Sequence, residues 1–245
     1  EGDIPFLMET YQRGSSRSMV YALWDEAQWR YELLGKRKYN INRREIYIIE
    51  TKAGEWAGFI GIPAIKWGKN SALTLFELKP EYAWVDVTPS VIRFLWKKGE
   101  ELAKEQGQEQ KMFGFWLGEE HPAYHVTDID LPRKIKPYAF YLRVPDLAAF
   151  IETIKPVLEI RMKESPFANY TGELKLSFYR EGLLLGFEKG LLSTITPLEY
   201  DALENSSANF PYLTFLHMVF GYRTIVEIKH MFIDCGTKDD KTAHL

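Results

Sequence analysis

The chain has a single cysteine, Cys235, among its 245 residues, so it cannot close an intrachain disulfide or supply a CxxC or four-cysteine metal site. No window approaches the ~20 consecutive apolar residues of a membrane span, and no basic, apolar, then small-residue leader opens the sequence. Neither charge dominates. The 31 Lys and Arg against 34 Asp and Glu leave a formal net charge of −3, without the basic face or stripe that a polyanion partner requires. The reading therefore expects no nucleic acid and no membrane as partners, and a reducing, cytoplasmic setting. The 46% hydrophobic and 15% aromatic content can bury a sizeable core in one large or two modest domains.

Both ends look cut. There is no initiator Met, and the tail DCGTKDDKTAHL stops as a polar, helix-compatible run with Ala243 and Leu245 is developing. The sequence reads as a fragment of something longer. Because GTKDDK is polar and opened by glycine, the tail after Cys235 is expected to be loosely ordered.

In the first half, DIPFLMETYQRG spaces Ile4, Leu7, Met8 and Tyr11 as a helix behind Asp3 as N-cap, with Pro5 in the first turn. DEAQWRYELLG follows as a second helix closed by Gly35. REIYIIET, EWAGFIGIPAIKW and SALTLFELK read as three strands of an antiparallel meander. A helix from Ser90 to Gln106 comes next, with Thr88 and Pro89 as cap and first residue. QKMFGFWLG is a strand, HPAYHVTD a short helical piece and KPYAFYLRV another strand.

The character changes at Pro145-Asp146. DLAAFIETIKPVLEIRMKES reads as a long helix crossing Pro156, and GELKLSFYREGLLLGFEKGLLSTITP as a three-stranded meander turning at Gly182 and Gly190. FPYLTFLHMVFGYRTIVEIKHMF gives two helices split by Gly221, the second opened by a Thr224/Glu227 capping box. The class is α+β, with domains expected over 1–143 and 144–245.

The stretch LFELKPEYAWVDVTPS is a strand feeding a helix, a junction where many coenzyme sites hold phosphates. Such sites need residues without Cβ, so that backbone N–H groups can approach the anion at the positive end of the helix dipole. This one has no glycine. Pro80 and Pro89 remove donors, Glu81 and Asp86 bring negative charge, and Tyr82 and Trp84 fill space.

The order of elements in the first half resembles the GNAT acetyltransferase fold. YAFYLRVPDLAAFIETIKPVLEIRM, TGELKLSFYREGLLLGFEKG and FPYLTFLHMVFGYRTIVEIKHMFIDC are similar to the C-terminal part of acetyltransferases related to the enhanced intracellular survival protein. The resemblance covers essentially the whole chain. It implies a GNAT-like domain that has lost its coenzyme loop, followed by a sterol carrier protein-like domain. The catalytic N-terminal acetyltransferase domain would be missing here and would be the partner of this portion. It also implies acetyl-CoA as cofactor of the full-length family, with none expected in this chain, and members that can assemble as homo-oligomers.

Few residues suggest chemistry. Tyr124 falls where active GNAT domains place a general-acid tyrosine, so it is the catalytic candidate if this domain is active; otherwise it is a packed aromatic. His121 and His125 are four apart, as zinc ligands on a helix would be, but lack the Glu-x-x-His context and read as surface or capping residues. Adjacent Glu119 and Glu120 point apart on an extended chain. Ser15, Ser16 and Cys235 have no nucleophile signature. Phe178, Leu185 and Phe187 alternate along strands that could line a hydrophobic pocket for a lipid, or form plain core. Three functions stay open: the non-catalytic portion of an N-acetyltransferase acting on an amine, a hydrophobic-ligand or lipid carrier, and a self-sufficient acetyltransferase.

Overall fold

The computed structural model describes residues 2–66, 68–127, 133, 135 and 141–245. It is an α+β chain of two compact units, Glu1–Tyr138 and Ala139–Leu245.

The first unit opens with helix α1 (Ile4–Ser15), which buries Ile4 and Leu7. Helix α2 (Glu26–Arg30) starts where Asp25 accepts from the Gln28 N–H, and it runs into a π-helical turn, Tyr31–Gly35. A single helix was expected here. The wider turn buries Glu32 at 2.5 Å from Lys36 and 3.2 Å from Arg44. A carboxylate taken out of water needs such partners, and π turns are a common way of re-aiming one side chain.

Strands β1 (Arg44–Glu50) and β2 (Trp56–Pro63) pair antiparallel. The run expected as one third strand is two: β3 (Asn70–Leu73) and β4 (Leu75–Leu78). At the break, both the N–H and the hydroxyl of Thr74 donate to the Gly61 carbonyl, at 2.9 and 3.1 Å. β4 joins a sheet of order β1-β2-β4, and β3 instead pairs parallel with β5 (Met112–Phe115). Helix α3 (Trp84–Glu105) connects β4 to β5, and helix α4 (Pro122–Val126) follows. The sheet is covered on both faces. Phe59 points to a cluster with Ile4, Leu7 and Trp29, while Ile60, Ile62, Phe76 and Leu78 point to one with Val91, Leu95, Phe115 and Ala123. Each such fully buried side chain stabilises the fold by about 1.5–3 kcal/mol.

The second unit begins with helix α5 (Leu147–Lys163), capped by Asp146, whose carboxylate accepts from the Ala149 N–H at 2.9 Å. Strands β6 (Gly172–Ser177), β7 (Glu181–Glu188) and β8 (Leu191–Glu199) form the expected meander. Gly190 turns β7 into β8 at φ +81°. Gly182 does not turn the chain: it lies inside β7, where a Cβ would stand 2.5 Å from the Leu176 carbonyl, and Tyr179 takes the left-handed turn position at φ +72°. Strand β9 (Ala208–Asn209) leads to helices α6 (Tyr212–Val219) and α7 (Ile225–Met231), and α7 carries the expected Thr224/Glu227 capping box.

The expectation of a loosely ordered tail is corrected. β10 (Gly236–Thr237) completes a sheet of order β10-β9-β6-β7-β8, and Asp239 caps a short helix α8 (Asp240–His244) by accepting from the Thr242 N–H. A paired strand and a filled cap satisfy backbone groups that the polar composition alone left to solvent. The strand expected over KPYAFYLRV lies outside the described residues at 136–140, and 141–144 form no strand.

Candidate functional site

The break at Thr74 shapes the first unit's most distinctive region. β3 and β5 run side by side up to Leu73 and Phe115, and the Trp116 N–H still reaches the Leu73 carbonyl at 2.8 Å. Beyond that point β4 pairs only with β2. β5 ends at Phe115, so among the described residues no strand pairs with the outer edge of β4, and its backbone groups leave a wedge that a side chain or an added strand could fill.

In this chain its own side chains close the wedge. His121 Nε2 lies 2.7 Å from the Phe76 carbonyl, and its Nδ1 accepts from the Ala123 N–H at 3.1 Å. Those two partners assign the proton to Nε2. Burial lowers the imidazole from its ordinary value of 6.5 to about 4, so the ring is neutral. Phe76 stacks on the ring at 5.8 Å, and Trp84 meets both Phe76 and His121 edge-on at 4.8 and 4.9 Å. On the β5 side, the Tyr124 hydroxyl donates to the Phe115 carbonyl at 2.8 Å and accepts from the Leu117 N–H at 3.4 Å. Burial pushes its phenol up. A hydroxyl holding two backbone partners ties α4 to the end of β5.

The junction from β4 to α3 differs from expectation in register. The helix begins at Trp84, with Ala83 as an N-cap that makes no side-chain cap bond, and Pro89 lies inside it. Thr88 is fully buried rather than capping, and its hydroxyl has no partner. Packing explains the earlier start, because a helical turn at Trp84 carries the indole onto Phe76 and His121. Around the loop, Gly54, Glu55, Trp56, Lys79, Glu81 and Tyr82 line a shallow groove. Tyr82 donates to Glu55 at 3.2 Å, Lys79 sits over the Phe6 ring at 5.5 Å, and Asp86 occupies the first turn of the helix. Two carboxylates against one ammonium, with Asp86 at the positive end of the dipole, disfavour an anion there.

One buried acid escaped the sequence reading. Glu77, inside LFEL on β4, is held by Arg17 through two bonds of 2.9 and 2.5 Å. Burial raises its pKa against the pull of the guanidinium. Gly14 makes the room, since a Cβ there would stand 1.8 Å from the Glu77 carboxylate. The legible signal was a lone carboxylate on an otherwise apolar strand; its partner 60 residues away was not legible.

The remaining candidates scatter. His125, Glu119 and Glu120 are exposed, and among the described residues no group of three His, Cys, Asp or Glu side chains is placed to hold a metal ion. Cys235 is buried, and burial pushes its thiol up. In the second unit Phe178 and Leu185 belong to the core, with Phe187 packed against it. Phe178 contacts Tyr212 at 5.6 Å and Phe215 at 5.2 Å, and Phe187 meets Tyr170 at 5.7 Å. Among the described residues, no helix is long and apolar enough to cross a membrane.

No protein-family model and no curated protein matches the chain. A solved structure described as "Putative acetyl transferase from Pyrococcus furiosus" is similar at 15% identity and a TM-score of 0.38, over 59% of this chain and 95% of that one, and a likeness so distant carries no argument.

Proposed function

We propose that this chain is a non-catalytic portion of a GNAT-type N-acetyltransferase. Its first unit would be a GNAT-like domain without a working coenzyme site, and its second a sterol carrier protein-like domain that helps shape the amine acceptor's pocket in the full-length protein. One observation carries the reading. The outer edge of β4, where an extended coenzyme arm could bond to backbone, is occupied by His121 on the Phe76 carbonyl against Trp84. The junction beside it supports the same reading, since it offers proline, carboxylates and aromatics where phosphate recognition uses converging N–H groups. A missing N-terminal acetyltransferase domain would supply both acetyl-CoA binding and catalysis.

Calorimetric titration of the chain with acetyl-CoA tests this. The expected result is no saturable heat at micromolar ligand and no acetyl transfer to amines. Micromolar binding would overturn the reading, and turnover abolished by Tyr124→Phe would move catalysis into this domain.

A further inference from the structure

The charge balance of the whole chain conceals one segment. From Leu33 to Arg44 the sequence LLGKRKYNINRR carries Lys36, Arg37, Lys38, Arg43 and Arg44, and no Asp or Glu. Two of these cations are spent inside the fold, where Lys36 and Arg44 both pair with the buried Glu32. Arg43 lies in the field of Glu45, which Lys98 holds at 3.3 Å. Arg37 and Lys38 are exposed and have no carboxylate partner among the described residues.

Two consecutive turns shape the segment. The Asn40 N–H donates to the Arg37 carbonyl at 3.0 Å and the Arg43 N–H to the Asn40 carbonyl at 2.9 Å, so turns over 37–40 and 40–43 share Asn40. Side chains fix them: Asn40 Oδ1 accepts from the Asn42 N–H at 2.8 Å, and the Lys36 ammonium donates to the Asn42 carbonyl at 2.9 Å. Turn centres ordinarily hold small or polar residues. Here the centres are Lys38-Tyr39 and Ile41-Asn42, and Tyr39 is 81% and Ile41 63% exposed. Neither belongs to a core cluster or packs against one. We propose that this double turn docks on an anionic lipid surface, with Tyr39 and Ile41 entering the interface and Arg37 and Lys38 reaching the headgroup phosphates.

Charge and shape select that occupant. Cations act on an anionic bilayer only within a Debye length of ~10 Å, so the two unpaired ones on the loop outweigh a net charge of −3 spread over the chain. The expectation of no membrane partner averaged charge over the whole sequence and gives way here. A tyrosine suits headgroup depth, with its ring in an apolar layer and its hydroxyl wet. Ile41 gains only from an apolar phase, which a nucleic-acid backbone lacks. A protein partner needs a separate pocket for each tip and a carboxylate for each cation, whereas a bilayer interface supplies both without a fixed shape.

Co-sedimentation with lipid vesicles tests the docking, together with a polarity-sensitive fluorophore attached at Ile41→Cys, since Cys235 is buried. The chain should bind vesicles containing about 30% phosphatidylserine, bind pure phosphatidylcholine far less, and be released by salt. The label should shift to the blue on binding. Arg37→Gln and Lys38→Gln should each weaken binding roughly fivefold, and unlabelled Ile41→Ser roughly tenfold, with urea unfolding unchanged because none of these side chains supports the core. Failure to bind anionic vesicles overturns the proposal, as does binding that survives all three substitutions or leaves the label unshifted. Binding to RNA or to an acidic peptide without binding to vesicles overturns it as well, by giving the cations to a different polyanion.

Discussion

The two edges of the β1-β2-β4 sheet solve one physical problem in opposite ways. At β4 the freed carbonyl of Phe76 is taken by a side chain, His121, and covered by Trp84. At β1 the described residues supply no further strand, although both faces are packed. An edge is made safe by satisfying its backbone groups or left available by not doing so. The contrast separates the two edges: β4 is closed from within by a side chain, and β1 ends its sheet among the described residues.

Breaking the closed edge should have the largest effect. His121→Ala removes a buried ring, the cap on α4 and the partner of Phe76, and should cost about 3–5 kcal/mol in urea unfolding. A loss below about 1 kcal/mol would mean that water takes over the carbonyl, and the edge is not closed by this side chain.

The same residue gives the closure a pH dependence. Its folded pKa of about 4 lies below the ordinary 6.5, so the folded state binds fewer protons than the unfolded one. The stability it contributes is fully present above pH 6.5 and is lost as pH falls towards 4, by an amount on the order of 3 kcal/mol. Carboxylates titrate in part of that window too, so the informative quantity is the difference from His121→Gln, which keeps a donor for Phe76. Parallel stability curves for the two proteins would rule the histidine out as the source.

Tyr124→Phe, on the β5 side of the wedge, sharpens the comparison with the smallest effect. It removes one hydroxyl with two backbone partners and should cost about 1 kcal/mol in urea unfolding. A change in turnover at unchanged stability would mark the hydroxyl as a reacting group instead.

Most of the fold was legible where periodicity and caps agree. The α1 face, the β6-β7-β8 meander and the α7 capping box all follow from local spacing. The candidate site was legible only by what it lacks. A glycine-free junction can be read from LKPEYAWVDVTPS, whereas His121 reads as one half of an HPAYH pair and gives no sign of Phe76, 45 residues earlier. Thr88-Pro89 is a sound local helix start, but tertiary contacts of Trp84 moved the boundary five residues back. Thr74 is a good strand former, so nothing in SALTLFELK announces that the strand changes partners there.

Sequence by itself determined the α+β class, the order of most helices and strands, the exclusion of an intrachain disulfide, and the lack of glycine at the junction from β4 to α3. These depend on residue type and on spacings of a few positions. Tertiary structure alone decided that β3 and β4 join different partners, that Glu77 meets Arg17, that His121 closes one sheet edge, and that β1 ends its sheet among the described residues. Each of those is a choice of partner for a buried polar group or a strand edge. The favourable partner is the one that packing brings within hydrogen-bond reach, however far away it lies along the chain.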